Sequence, residues 1–155
     1  MTVQPVSPLV HFFSYGTGIS IELPAGFELV DESPASTGYA DLPEGGVVDD
    51  HTPLLRIRAV GAFEEQPTLE ERQAAVEELA DGFARLEGEV LRRTSHTVDE
   101  EPSATVVLAE PVTRRVLHLT AVAGRQRLVT LAGAGTGDEV AIWDRAVESI
   151  RVIEL

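Results

Sequence analysis

A short corner near the start of the chain constrains the fold more than any other stretch. Apolar and polar residues alternate over residues 19–23, the pattern of a β-strand with one buried face. Pro24 and Gly26 then interrupt the strand, because proline lacks a backbone N–H donor and glycine adopts backbone angles that other residues resist. The alternation restarts at Phe27. The sequence therefore predicts two strands joined by a sharp turn, with a sheet and helices built around it.

Two later segments have the features of helices. Thr68 and Glu71 form a capping box, so the free amides of a first helical turn find side-chain acceptors. Thr136 and Glu139 repeat this spacing and predict a second helix that runs to the end of the chain. Apolar residues recur at helical spacing in both segments: Leu69, Val76, Leu79, Phe83, Leu86 and Val90 in the first, and Val140, Trp143, Val147 and Ile150 in the second.

Further strands are predicted on both sides of the first helix. Apolar alternation or β-branched runs place them at residues 54–60, 91–98, 104–109, 114–123 and 126–134. Residues 91–98 are polar enough for an edge strand, and Gly124 and Arg125 join the last two strands as a hairpin. Because the strand connections are short, we expect antiparallel pairing. The predicted class is α+β: an antiparallel sheet of about six strands, one long helix inserted mid-chain and a C-terminal helix packed on the sheet.

The remaining segments are predicted to be irregular. A long loop is expected between residues 33 and 53, because this segment is rich in proline, glycine and acidic residues, with a short edge segment at Val47-Val48. Loops of this length inside a domain are often binding elements or disordered. Residues 1–9 are expected to be disordered. We expect residues 1–155 to form a single domain, since the chain has the length of one.

Charge and composition exclude several classes of function. The chain has 26 acidic residues against 12 basic ones, which gives a net charge of −14 and predicts no binding to nucleic acid or to anionic membranes. Every basic residue is arginine, without lysine or asparagine, as expected of a high-GC bacterial genome. Cysteine is absent, which excludes disulfides and thiolate metal sites. No secretory signal or membrane-spanning stretch is visible, so a cytoplasmic location is expected.

The corner and the order of elements resemble the PsbP-like superfamily. Residues 23–27, with the sequence LPAGF, are similar to the aliphatic-Pro-x-Gly-aromatic corner of these domains, and residues 143–150 (WDRAVESI) resemble their closing segment. The superfamily includes the photosystem II extrinsic protein, the Ran-binding factor Mog, the DcrB and LpqN lipoproteins and secretion-effector chaperones. The resemblance implies an antiparallel sheet with helices packed on it and a mostly non-enzymatic role. It implies no catalytic residues.

Candidate catalytic and metal-binding residues are few. Asp49, Asp50 and His51 have side chains that suit a divalent metal, but three adjacent residues rarely converge on one ion, so we prefer a solvated loop. His118 is a candidate general base, although a structural or surface histidine is favoured. A glycine-rich segment, 133–137, precedes a helix, yet the following two acidic residues would repel a phosphate. We therefore predict no enzyme activity, no cofactor and no metal.

One distribution of basic residues predicts a partner surface. Eight of the twelve arginines lie on or beside predicted strands: Arg56, Arg58, Arg92, Arg93, Arg114, Arg115, Arg125 and Arg127. If Arg56, Arg58, His118 and Arg127 share a sheet face, they form a cationic patch that could bind carboxylates of a partner. The alternative, which we favour, is that charged strand residues protect sheet edges from aggregation.

Two functions from different classes fit these features. The preferred function is a non-catalytic protein-binding or adaptor domain, an effector chaperone being one form of it, which acts as a monomer or homodimer on a protein partner. The alternative is a small-ligand carrier or an uncharacterised enzyme with a pocket between the sheet and the 33–52 loop.

Overall fold

The computed structural model describes residues 9–43, 45–46, 48–49 and 52–153. Strands dominate this part of the chain, and the two α-helices are separated by four strands. The elements in chain order are β1 (Leu9–Ser14), β2 (Ile19–Pro24), β3 (Phe27–Ser33), β4 (Ser36–Asp41), β5 (Leu54–Ala62), α1 (Leu69–Ala84), β6 (Glu89–Val98), β7 (Glu101–Ala109), β8 (Val116–Ala123), β9 (Arg127–Gly135), α2 (Val140–Glu148) and β10 (Arg151–Val152).

The strands form two antiparallel sheets. One has seven strands in the order β3-β4-β5-β9-β8-β7-β6, and the other has three in the order β1-β2-β10. The predicted α+β class, with a mid-chain helix and a C-terminal helix, is confirmed. The predicted single sheet of about six strands is corrected, because β1, β2 and β10 pair separately and β4 lies in a segment predicted to be a loop.

The seven-stranded sheet is the middle of three layers. On one side α1 packs Val76 and Ala80 against the inward residues of β7 and β8. On the other side α2 and the three-stranded sheet enclose a second apolar core that contains Ile21, Leu131 and Trp143. Cover on both faces explains why β7 and β8 are almost continuously buried, with mostly apolar side chains.

The corner at residues 23–27 carries the chain from one sheet to the other. β2 pairs in the three-stranded sheet and β3 is an outer strand of the seven-stranded sheet. The turn between them requires glycine at position 26, where φ is 110°. Phe27 then packs edge-to-face on Trp143, with ring centroids 5.8 Å apart. The two predicted strands and their turn are confirmed, and the turn joins two layers of the fold.

The predicted cap of α1 is present. The Thr68 hydroxyl accepts a hydrogen bond from the Glu71 amide at 3.1 Å, and the Glu71 carboxylate accepts one from the Thr68 amide at 3.3 Å. The predicted apolar stripe is only partly correct. Its ends are exposed or lie outside the helix, because the helix stops at Ala84. The stripe that packs on the sheet consists of the buried Val76 and Ala80 and the half-buried Leu79 and Phe83, and the misassigned residues are Leu69, Leu86 and Val90.

The predicted cap of α2 is not formed. Residues Gly137–Glu139 make one turn of 3₁₀ helix, so α2 starts later, at Val140, and its N-terminus has no side-chain cap. Thr136 instead donates to the carboxylate of Glu139 at 3.3 Å. The helix also ends at Glu148 and not at the end of the chain, so the buried Ile150 lies beyond it. Trp143 and Val147 are buried as predicted, with Trp143 only 1% exposed. Trp143 lies directly over Gly133, where an added Cβ would come 2.7 Å from the indole ring.

The predicted long loop is shorter than the sequence suggested. Residues 36–41 form β4, which pairs with β3 and β5 despite its polar and small side chains, because Tyr39 is buried in the core on the α2 side of the sheet. The connection that remains runs from residue 42 to 53. The predicted edge segment at Val47-Val48 falls partly outside the described residues. The edge position predicted for residues 91–98 is confirmed, since β6 ends the seven-stranded sheet. In the described part of the chain, no helix is long and apolar enough to cross a membrane.

Candidate functional site

A polar cleft of about 340 Å³ lies between the outer strands β6–β8 and the C-terminal half of α2. Strand register explains why its residues meet. Arg92, Val107 and His118 are opposite one another across β6, β7 and β8, and Thr94, Thr105 and Thr120 form the next row two residues along. Because side chains alternate along a strand, these rows face the same side of the sheet, towards α2. The cleft is therefore a polar end to an otherwise apolar sheet face.

Asp144 of α2 joins three elements at the cleft. Its Oδ1 accepts a hydrogen bond from His118 Nε2 of β8 at 2.7 Å. Its two oxygens also accept a bidentate pair from the Arg92 guanidinium of β6, at 2.5 and 3.1 Å. Asp144 directly follows Trp143, so burial of the indole ring fixes the turn of helix that carries this carboxylate. The arrangement holds α2 against the outer strands.

Burial and these contacts determine the protonation states. Burial alone would raise the pKa of Asp144, but the hydrogen bonds and charges of Arg92 and His118 outweigh it and hold that pKa below its ordinary value. Burial lowers the pKa of His118 although the Asp144 carboxylate opposes this. His118 is therefore neutral at pH 7, and its Nε2 carries the proton, because an ionised carboxylate can only accept.

A chain of hydroxyl groups continues the polar floor of the cleft. His96 Nε2 lies 2.8 Å from Thr105 Oγ1, which lies 2.9 Å from Thr120 Oγ1. Thr105 and Thr120 are almost fully buried, and burial lowers the pKa of His96 as well. The polar groups of the floor are thus bonded to one another. Such a network presents fixed donors and acceptors at the cleft surface.

The four residues predicted to form a cationic patch lie on different faces of the sheet. Arg56 and Arg58 alternate with the buried Leu55 and Ile57 and so face the α1 side, where Arg56 binds Asp31 at 2.7 and 2.5 Å. Hence they cannot share a surface with His118, and the prediction that the four residues share one sheet face is wrong.

The other two members, His118 and Arg127, face the α2 side but are far apart. Arg127 donates to the Gly16 carbonyl at 3.1 Å. It is six residues along β9 from Gly133, the partner of His118, which corresponds to about 20 Å of strand. Contact of any of the four with a partner remains a prediction, and His118 is the one that lies in the cleft.

Of the residues that line the cleft, only His118 was predicted as a site residue. Arg92, Thr94 and His96 are spaced two residues apart on a polar strand, and this spacing indicates that they share one face of the sheet. Asp144 gave no such signal, because its pairing with Arg92 spans 52 residues and depends on how α2 crosses the sheet. Of the predicted metal candidates, Asp50 and His51 lie outside the described residues. Within the described ranges, no group of three or more histidine, aspartate or glutamate side chains is arranged to hold a metal ion.

Comparison with known proteins identifies the fold. No protein-family model matches the chain, and a search of curated proteins finds no match. Among solved structures, the Ran-binding protein Mog1p of Saccharomyces cerevisiae is 11% identical with a TM-score of 0.53, over 96% of this chain and 97% of Mog1p. PsbP (CyanoP) of Synechocystis sp. PCC 6803 is 16% identical with a TM-score of 0.60, over 96% and 94%.

A third similar structure is LpqN of Mycobacterium tuberculosis, described as involved in cell envelope biogenesis. It is 14% identical with a TM-score of 0.54, over 95% of this chain and 91% of LpqN. At these identities the likeness concerns the fold alone. The protein therefore shares the fold of Mog1p, PsbP and LpqN, which confirms the fold that the PsbP-like resemblance implied.

Proposed function

We propose that this protein is a non-catalytic domain that binds a partner protein through the cleft between β6–β8 and α2. The observation that carries the proposal is the fixed polar floor of an open cleft. Arg92, His118 and Asp144 are bonded to one another, and the threonine hydroxyls continue the network. Because these side chains are already held in place, little conformational entropy is lost when a partner binds, which favours recognition.

The same network argues against catalysis by His118. Its side chain is only 2% exposed and its Nε2 is bonded to Asp144, so a substrate has little access to the ring. The alternative function has a smaller loop to form its pocket than expected, because β4 occupies residues 36–41 of that segment. A small-ligand carrier is left as an outcome of the test below.

The fold and charge support a protein partner. Mog1p, which has this fold, is a Ran-binding protein. A net charge of −14 would repel nucleic acid and attract a partner with a basic surface. A cytoplasmic location and a monomeric or homodimeric state are part of the proposal.

A matched pair of variants tests the proposed surface. Thr94→Arg fills the cleft from an exposed position on its wall, and Thr113→Arg makes the same change on an exposed loop away from it. We expect affinity capture from the native lysate to recover a stoichiometric partner with the wild type and with Thr113→Arg, and about tenfold less with Thr94→Arg. Circular dichroism confirms that both variants fold.

Two results would contradict the proposal. One is equal recovery of the partner by a folded Thr94→Arg variant. The other is a stoichiometric small molecule in native mass spectra of the purified wild type, which would favour the carrier function.

A further inference from the structure

The strand β6 is an outer strand of the seven-stranded sheet, and it is ten residues long. Nearly all of its residues are exposed. An edge strand of this kind presents backbone N–H and C=O groups that can pair with another strand. Natural proteins usually protect such edges with charged side chains or cover them, so the charges and contacts of the side chains around β6 decide whether another strand can pair with it.

The turn between β6 and β7 shows which backbone groups of β6 point away from the sheet. Asp99 and Glu100 have φ values of 50° and 65°, as a two-residue type I′ turn requires. The pair Val98 and Glu101 closes this turn and is therefore a hydrogen-bonded pair. Because hydrogen-bonded and non-hydrogen-bonded pairs alternate along an antiparallel ladder, the outward groups belong to Arg93, Ser95 and Thr97.

One detail fits this assignment. Pro102, which has no N–H to donate, is opposite Thr97, in a pair that exchanges no hydrogen bonds. The backbone groups of Arg93 and Ser95 are thus the centre of the exposed edge.

Grooves flank β6 on both faces of the sheet. The polar cleft lies on the α2 side. On the α1 side a groove of about 810 Å³ runs between α1 and the β6–β7 hairpin, and its lining includes Leu69, Val76 and Pro102. The two grooves meet at His96 and Thr97. A strand laid along β6 would direct alternate side chains into the two grooves.

The positive charges of the edge are neutralised within the protein. Arg93 binds Glu77 and Asp81 of α1 at 3.1 and 2.7 Å, while Arg92 binds Asp144. Carboxylates remain beside each groove. Glu148 lines the cleft and Glu100 lines the α1-side groove, and neither forms an ion pair with another described residue. The C-terminal end of α2 adds partial negative charge next to Glu148.

We propose that β6 binds an extended, basic segment of the partner protein as an eighth strand. The backbone of the segment pairs with Arg93 and Ser95. Basic side chains enter the cleft near Glu148, and the alternate, apolar side chains enter the α1-side groove. This proposal rests on the proposed function, because it specifies how the partner occupies the same cleft.

Peptides of defined pattern test the pairing. The probe is a peptide of about nine residues that alternates arginine with valine, and its control has glutamate in place of arginine. We expect the basic peptide to bind about tenfold or more tightly than the acidic one. Glu148→Gln should reduce this preference, whereas Glu28→Gln on β3, an exposed strand at the opposite edge, should leave it unchanged.

Backbone methylation separates strand pairing from side-chain attraction. Two versions of the basic peptide carry N-methyl groups on all arginine amides or on all valine amides, so each has one blocked edge. We expect one version to bind about tenfold more weakly than the other, since only one edge pairs with β6. Hydrogen exchange at the Arg93 and Ser95 amides should slow when the unmethylated peptide binds.

The outcomes distinguish the two proposals. Equal binding by both methylated peptides, or unchanged exchange at Arg93 and Ser95, would overturn strand addition. If the partner from the lysate still depends on Thr94 in that case, the proposed function stands and only the mode of docking is wrong. If neither the partner nor the peptides bind, both proposals fail.

Discussion

At the scale of single residues, Asp144 determines how the cleft is held together. It joins α2 to β6 through Arg92 and to β8 through His118. Asp31 makes a similar bidentate pair with Arg56, but at an exposed position and without a buried histidine. The two aspartates therefore offer a comparison in which both have a bidentate arginine partner but only Asp144 also binds a buried histidine.

Removing Asp144 should cost more stability than removing Asp31. Asp144→Ala leaves the buried His118 N–H without an acceptor, which costs about 1–3 kcal/mol of unfolding free energy. Asp31→Ala removes a largely exposed ion pair and should cost about 0–1 kcal/mol. Urea denaturation at pH 7 measures both. Equal losses would mean that the His118 contact contributes nothing beyond a surface ion pair.

The buried histidines should make stability depend on pH. Burial lowers the pKa of His118 and His96 from 6.5, so below that pH the unfolded chain binds protons that the folded protein resists. The free energy of unfolding should therefore fall as the pH drops from 7 towards the lowered pKa values, whereas the contribution of Asp144 is lost only below 3.8. In a double variant, His96→Gln with His118→Gln, the urea midpoint should depend less on pH between pH 7 and 5. Parallel curves for wild type and variant would contradict this.

At the scale of elements, the two capping boxes show what local sequence can predict. Both have the same Thr-x-x-Glu spacing, yet only Thr68 caps its helix. At Thr136 the strand β9 ends beside the helix start, and the first turn tightens into a 3₁₀ conformation. Tertiary packing, which includes Trp143 over Gly133, determines that start. Helix existence and buried side were predictable, but the cap geometry was not.

Alanine substitutions at the two threonines measure this difference. Thr68→Ala removes the hydroxyl that accepts the Glu71 amide and should cost about 1 kcal/mol. Thr136→Ala removes a side chain that caps no amide and should change the unfolding free energy by less than about 0.5 kcal/mol. Urea denaturation of both variants gives the comparison. If Thr136→Ala lowers the unfolding free energy as much as Thr68→Ala does, Thr136 caps α2 in solution.

At the scale of the whole molecule, the corner was predictable and the site was not. Proline, glycine and alternating apolar residues are local signals, so residues 23–27 indicated both a turn and a fold family. The cleft depends on register between distant strands and on the crossing of α2, neither of which has a local signal. The same reason explains the error in the cationic patch, since a one-residue difference in register moves a side chain to the other face of the sheet.

The corner itself should be sensitive to a single methyl group. Gly26 has φ of 110°, and an added Cβ would lie 3.0 Å from the Asp41 carboxylate, so Gly26→Ala should cost about 1–3 kcal/mol. Gly82 of α1 has open space around it, and Gly82→Ala should instead stabilise the protein by about 0.5–1 kcal/mol. Because Phe27 follows the turn and packs on the single tryptophan, Gly26→Ala should also alter Trp143 fluorescence in the folded state, and Gly82→Ala should not. A neutral Gly26→Ala would mean that the turn adapts without disturbing either sheet. If Gly26→Ala lowers the unfolding free energy and Gly82→Ala raises it, the backbone constraint lies at the junction between the two sheets.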